Sequence, residues 1–409
     1  MSTNRKYMKI LHTSDWHLGQ ELYSFDRTEE HLSFLSQIEN IVKEEQPDAL
    51  VISGDIYHTS APSNSVMKMF TDALLRIVDK NPQMKVVVTA GNHDSCSRLE
   101  IAQNLWRRVN IDFIGGVEKV DGVVNFDRHI ITINNSEGKP CGIVVAMPHI
   151  FPQSFPLVSE DSPRENRQQL FWEALNNRLN EINTEKLPVV MMAHMAISGS
   201  NTTGHDLTRG GMDFVDIATI PVDFDYLALG HIHCPQNVDN TRARYCGTPI
   251  AVSFDEDYEH SVSIVEVNSN SEPIIRTISI ENPIPLKTIP SVATEAKDVI
   301  KLIEAYDSNE KAYLRVNIKH SDDIPHNLKE QLFDICKNKQ LRLCTIKWEY
   351  DEQIKNSEEI SDLSVEELQQ MSPIEIAQRF YLKKNGCDMS DKLVEMLNQV
   401  INEVTNPES

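Results

Sequence analysis

Five short segments rich in metal-liking side chains recur along the chain, each directly after an apolar run: Asp15-Trp16-His17, Gly54-Asp55, Gly91-Asn92-His93-Asp94, Ala193-His194 and Gly230-His231-Ile232-His233. Buried strands are expected at residues 7–11, 49–52, 85–89, 142–146, 188–193 and 226–229, where apolar residues run without a polar break. Between the first two strands, residues 28–43 place Leu32, Leu35, Ile38 and Val42 at helical spacing, and a second helical stretch covers residues 65–78. Strand and helix in alternation predict an α/β fold with helices laid over its sheets. Loops at the carboxyl ends of strands in such a sheet converge on one crevice, so the five segments are expected to meet there.

The residue types in those segments suit a pair of divalent ions. Two ions about 3.5–4 Å apart can clamp a phosphoester, activate water and steady a leaving oxygen. Charges that close need an anionic ligand between them, and one carboxylate can bridge both. A mixed set of Asp, His and Asn favours Mn, Fe or Zn over a calcium cage. Glycines just before Asp55, Asn92 and His231 permit the tight turns that aim ligands inward. Taken singly the motifs are weak. Asp-x-His is common, His-x-His at a strand end is better, and Gly-Asn-His-Asp alone suits a plain turn. Their order and repetition carry the inference. The remaining histidines, His12, His31, His129, His149, His205, His260, His320 and His326, read as surface or packing residues.

The pattern changes after about residue 275. Pro283, Pro285 and Pro290 suggest a linker. A helix over 295–305, a strand over 312–318, a helix over 327–338 and a strand over 341–348 would then make a small α+β domain. From residue 351 to 409 the chain holds 13 acidic and 5 basic residues, a net of −8. Ser372-Pro373-Ile374-Glu375 has the form of a helix start. A last helix over 391–404 repeats Leu393, Met396, Leu397, Val400, Ile401 and Val404 on one face, suited either to packing on its own chain or to docking a partner.

The charge of −22 argues against a protein that grips nucleic acid alone, because phosphate neutralisation by basic side chains supplies most non-specific affinity. Bound cations or a partner would have to make up the difference. No apolar stretch approaches membrane-spanning length and the N-terminus lacks a signal core, so a cytoplasmic protein without membrane contact is expected. Seven scattered cysteines fit free thiols in a reducing compartment. A Walker motif is absent, so any ATP would be hydrolysed elsewhere.

The motifs in this order resemble the calcineurin-like metallophosphoesterase superfamily and, within it, the SbcD or Mre-type DNA repair nucleases. Beyond the metal-liking segments, the resemblance is carried by His12-Thr13-Ser14-Asp15-Trp16-His17-Leu18-Gly19, Tyr245-Cys246-Gly247-Thr248-Pro249 and Ser253-Phe254-Asp255-Glu256. It implies a two-sheet sandwich flanked by helices over 1–275, an α+β capping domain over 283–350 and C-terminal helices over 358–409 that dock an ATPase. It further implies one ion on Asp15, His17, Asp55 and His233, and a second on Asp55, Asn92, His194 and His231, with Mn(2+) the expected metal. His93 would donate to the phosphate or leaving oxygen, Asp94 would orient it, and His58 matches a second catalytic histidine of archaeal-type relatives. Implied partners are DNA and an SbcC-type coiled-coil ATPase, in a heterotetramer built on a homodimer. Leu35 and Ile38, or Met67 and Phe70, suit either a dimer contact or the core. The implied activity is double-strand exonuclease and hairpin or single-strand endonuclease action. The alternative is a phosphatase or cyclic-nucleotide phosphodiesterase using the same ions on a smaller substrate.

Overall fold

In the computed structural model, residues 7–151, 154–159, 163, 166–204, 214–238, 242–269, 271–306, 310–320, 324–325 and 327–349 are described, with isolated positions between 374 and 397. The expected C-terminal docking helices therefore lie almost wholly outside the described residues. Two compact units divide the chain: Met1–Lys287 with Glu310–Tyr313, and Thr288–Asn309 with Leu314–Ser409.

The first unit opens with β1 (Met8–Thr13), α1 (Thr28–Glu45), β2 (Ala49–Ser53), α2 (Asn64–Lys80) and β3 (Lys85–Thr89). Two one-turn helices, α3 (Cys96–Leu99) and α4 (Gln103–Trp106), lead to β4 (Ile111–Ile114) and a short hairpin of β5 (Lys119–Val120) and β6 (Val123–Val124). Then come β7 (Ile130–Asn134), β8 (Pro140–Ala146), α5 (Arg167–Ile182), β9 (Val189–His194) and β10 (Tyr226–Gly230). Four strands complete the unit: β11 (Gln236–Val238), β12 (Ala243–Tyr245), β13 (Ser261–Val267) and β14 (Ile274–Ser279). They form two six-stranded sheets, ordered β14-β13-β1-β2-β3-β4 and β11-β12-β10-β9-β8-β7.

Alternation along each strand explains the layering. Ile10, Ala49, Val51 and Val87 of the first sheet pack between the sheets against Val144, Val190, Met192, Tyr226 and Ala228 of the second. Their neighbours Leu11, Leu50, Ile52, Val86 and Val88 face outward onto Phe34, Leu35 and Ile38 of α1 and Phe70, Leu74 and Ile77 of α2. On the other side, Val145, Val189, Met191 and Leu227 lie under Phe171, Trp172, Leu175 and Leu179 of α5. Strands buried on both faces need no polar positions, which is why they read as unbroken apolar runs. Leu35, Ile38 and Phe70, left open between core and dimer contact, are core residues, and Met67 is packed against the same cluster. Leu32, grouped with them by spacing, lies off the buried stripe and is exposed.

The second unit has a three-stranded sheet in the order β15-β16-β17, with α6 (Ala296–Ala305) and α7 (Leu328–Lys337). Its strands are β15 (Leu286–Thr294), β16 (Ala312–Lys319) and β17 (Leu341–Glu349). The prolines expected to mark a linker do so only in part. Pro290 lies within β15, where an edge strand tolerates the missing N–H.

Candidate metal centre

Parallel pairing brings the strand ends level. Thr13 lies opposite Ile52, Ser53 opposite Thr89, and His194 opposite Gly230. The two sheets touch at this edge. A Cβ added at Gly230 would fall 1.9 Å from the Ser53 carbonyl oxygen, so only glycine allows the approach. Just beyond the strands the backbone turns left-handed at Asp15 (φ 53°), His17 (φ 43°), Asp55 (φ 51°) and His231 (φ 98°). Non-glycine residues avoid that region, and strain of this kind persists where surrounding contacts hold it in place. Here the restraint is backbone lacing. Asp15 N donates to Gly54 O, His17 N to Asp55 O and Leu18 N to Ile56 O, each at 3.0 Å.

The seven expected ligands come together around the carboxylates of Asp15 and Asp55. On one side His17 Nε2 lies 3.2 Å from His233 Nε2 and 3.8 Å from Asp55 Oδ2. On the other, His194 Nε2 lies 3.4 Å from Asp55 Oδ2 and 3.0 Å from Asn92 Oδ1, and His231 Nδ1 is 3.0 Å from the same Asn92 oxygen. Donor atoms of Asp15, His17 and His233 lie within 4.8 Å of one another, as do those of Asp15, Asp55 and His194. Asp15 also accepts from the backbone N of His231 at 3.0 Å, joining β1 to the other sheet.

These residues fit divalent cations. His194 Nδ1 donates to Ser53 O at 2.9 Å and His233 Nδ1 to a carboxylate oxygen of Glu256 at 2.9 Å, so in the neutral rings both Nε2 lone pairs face into the cluster. There they meet Asn92 and Asp55 oxygens and the His17 ring. Acceptor atoms gathered around one point call for a positive charge there, a proton or a cation. Burial disfavours a charged His194, yet Asp55 and Asp15 beside it raise its pKa to about 9. Burial likewise opposes ionisation of Asp55, but His194, His17 and His93 hold its carboxyl well below the usual range. Burial pushes Asp15 up and the His17 imidazole well down. His17 Nδ1 is buried without a hydrogen-bond partner among the described residues.

His93 and His58 stand at one side of the cluster, half-buried and with rings stacked at 5.7 Å, 29° apart. Asp94, expected to orient His93, has a different position. Its carboxylate accepts from the backbone N of Gly91 (2.9 Å), Ile56 (3.1 Å) and Tyr57 (3.0 Å), tying the loop after β3 to the loop after β2. Burial and the nearby Asp55 raise its pKa to about 6. His93 is oriented instead by the His58 backbone, its Nδ1 donating to that carbonyl at 2.8 Å. Its own N–H donates to Asp55 Oδ1 at 2.9 Å, which fixes the shared carboxylate from behind.

Two residues at the site escaped the sequence reading. His149, assigned to packing or surface, follows the end of β8 and sits against the cluster. Its Nδ1 donates to His194 O at 2.9 Å, its N–H to Ala90 O at 2.8 Å, and its ring stacks on His231 at 6.1 Å. It lies three residues past the end of β8, outside the segments that the sequence reading singled out. Glu256 lies far along the sequence from the metal-liking motifs, and only its family stretch hinted at a role. Of the other histidines placed in packing, His12, His31 and His129 are buried, while His205 and His326 lie outside the described residues.

Comparison with known proteins agrees with this geometry. Residues 8–235 match the family described as calcineurin-like phosphoesterase, and residues 283–385 match the type 5 capsule protein repressor C-terminal domain. The chain is similar to the D subunit of the nuclease SbcCD of Rhodobacter capsulatus, at 31% identity over 70% of this chain and 73% of that one. It is also similar to the proteins of that name in Bacillus subtilis (29% identity, 78% and 80% covered) and Staphylococcus epidermidis (26% identity, 79% and 83% covered).

Proposed function

Because the chain belongs to the calcineurin-like phosphoesterases and shares most of its length with SbcD-type nucleases, we propose that its clustered strand-end side chains hydrolyse DNA phosphodiesters. The protein is a metal-dependent nuclease of the SbcD type. Asp15, His17, Asp55 and His233 would hold one divalent ion, and Asp55, Asn92, His194 and His231 a second. The observation that carries this reading is Asp55, whose Oδ2 stands 3.8 Å from His17 Nε2 and 3.4 Å from His194 Nε2 and so serves both groups. Mn(2+), one of the ions that a mixed imidazole, carboxylate and amide set suits, is the ion we assign from the resemblance to SbcD-type nucleases.

Bound ions supply Lewis acidity toward the phosphoryl group and make water a usable nucleophile near neutral pH. The chain's own residues do the rest. Asp55 is fixed by the His93 backbone N–H, so its free oxygen stays aimed at both groups. His93 keeps Nδ1–H on the His58 carbonyl and can therefore deliver a proton only from Nε2, as the imidazolium, to the departing 3′ oxygen. His58 positions that ring through its carbonyl and stacks on it. Asp94 holds the two loops in register.

A net charge of −22 leaves little electrostatic grip on DNA for the isolated chain. An SbcC-type ATPase would provide it, docked by the segment 358–409, in a cytoplasmic heterotetramer built on a homodimer. Among the described residues no helix is long and apolar enough to cross a membrane. Duplex-end degradation and hairpin opening are the activities we assign to the assembly.

The test is Mn-dependent cleavage of a labelled DNA hairpin by the purified chain, alone and with its coiled-coil ATPase plus ATP. His93→Gln should keep its metal and lose about 10²–10⁴-fold in rate, the usual contribution of a positioned acid. Near wild-type cleavage by that variant would remove His93 from the mechanism. Metal binding with release of phosphate from a small monoester and no DNA cleavage would favour a phosphatase.

A further inference from the structure

The two halves of the cradle differ in what stands behind their histidines. His194, in one half, donates Nδ1–H to a neutral backbone carbonyl, Ser53 O, at 2.9 Å. His233, in the other, donates to Glu256 Oε1 at 2.9 Å. The Glu256 carboxylate is fully buried, with a side-chain exposure of 0%. Its second oxygen accepts from Thr248 Oγ1 and from the Val252 backbone N, both at 3.1 Å. The carboxylate is thus held at both oxygens, and it cannot rotate away from His233 without abandoning two donors in a dry environment.

Charge follows the same division. The His233 half contains Asp15, shares Asp55 and is backed by Glu256. Asp15 and Asp55 both also lie close to donors of the His194 half, so the carboxylate that distinguishes the halves is Glu256, behind His233, where His194 has only the Ser53 carbonyl behind it. A carboxylate behind a ligating imidazole fixes its tautomer and makes its free nitrogen more basic, and removing such a partner typically weakens metal binding by about 10–100-fold. Of the two histidines compared, both effects act on His233.

We propose that Glu256 is a positioning residue of the metal centre, holding His233 with Nε2 toward the ion and making the Asp15–His17–Asp55–His233 position the tighter of the two and the first to fill. This rests on the two-ion reading above. The Thr248 and Val252 contacts anchor the carboxylate, and the His233 contact transmits its charge.

The test uses the full chain, stripped of metal and titrated with Mn(2+) by calorimetry, with electron paramagnetic resonance counting bound ions. Wild type should bind two ions in distinct steps. Glu256→Gln should weaken the tighter step by about 10–100-fold and leave the other little changed. Asn92→Ala should do the reverse, weakening the second step and sparing the first. Thr248→Val, which removes one anchor and leaves the His233 contact, should keep most of the tight step. The inference is overturned if wild type binds two ions equally, if Glu256→Gln weakens both steps alike, or if Thr248→Val does as much damage as Glu256→Gln. Two unequal ions with Glu256→Gln unaltered would sink the role of Glu256 and leave the nuclease reading standing. A wild-type chain that binds no ion would sink both.

Discussion

Leu50 and Asp55 lie five residues apart and obey opposite rules. Leu50, Val51 and Ile52 are fully buried in β2, with extended backbone and apolar neighbours on both faces. Asp55 is nearly as buried, but as a carboxylate in left-handed backbone, surrounded by His17, His93 and His194. The same contrast repeats at the ends of β1 and β10. A strand interior gains stability from each residue it buries, at about 25 cal/mol per Å² of apolar surface. The loop beyond it loses stability through strained dihedrals and desolvated charge, and persists because the strands over-determine its path. The sheets are thus the support and the loops the load.

Substitutions can break this division at its joints. The largest effect is expected at Gly54, with φ at +85°, where a Cβ would lie 2.2 Å from His194 Nδ1 and 2.9 Å from Gly91 Cα. Gly54→Ala should displace both ligand loops. A misplacement of about 1 Å near reacting atoms costs roughly 10²-fold, so cleavage should fall at least that far, with a smaller change in urea stability. Leu50→Ala should behave in the opposite way. It should cost about 2–5 kcal/mol in urea unfolding, as buried Leu-to-Ala changes do, while the folded fraction keeps its specific activity. Equal loss of stability and specific activity in both variants would erase the distinction.

A further effect concerns acid. Burial, with Arg244 nearby, lowers the His12 pKa to about 3, and burial beside Arg27 does the same for His31. Both are neutral in the folded chain at a pH where the unfolded chain protonates them. Stability should therefore be intact above about 6.5 and fall as pH drops from there toward 3, by at most about 1.4 kcal/mol per pH unit for each histidine. Urea melts at stepped pH would show it, and His12→Asn should flatten the slope. A slope unchanged in that variant would place the acid sensitivity elsewhere.

The same contrast explains what could be read in advance. Strands buried on both faces announce themselves as unbroken apolar runs, so six of the eight interior strands were legible within a residue or two. Of the other two, β13 interrupts its apolar run with Ser261, Ser263 and Glu266, and β12 is only three residues long. Edge strands were not legible. β14, in the series Ile274 to Ser279, is mostly exposed and mixes Arg276 and Thr277 into its run. β4 is only four residues long. Helix α5 carries Phe171, Trp172, Leu175 and Leu179 at helical spacing and could have been recognised. At the site, residues that meet directly after strands were legible because topology alone gathers strand ends. Contacts that depend on how loops fold back were not. Glu256 reaches His233 across 23 positions, and Asp94 serves three backbone amides where an interaction with His93 was expected.

The central claim is that one carboxylate joins two ion positions into a centre that cuts DNA. It is tested most directly by measuring bound Mn(2+) and hairpin cleavage together for wild type and Asp55→Ala. Two ions and cleavage in wild type, with both ions weakened and cleavage lost in the variant, is the predicted result. A variant that keeps two ions and cuts at near wild-type rate would contradict it.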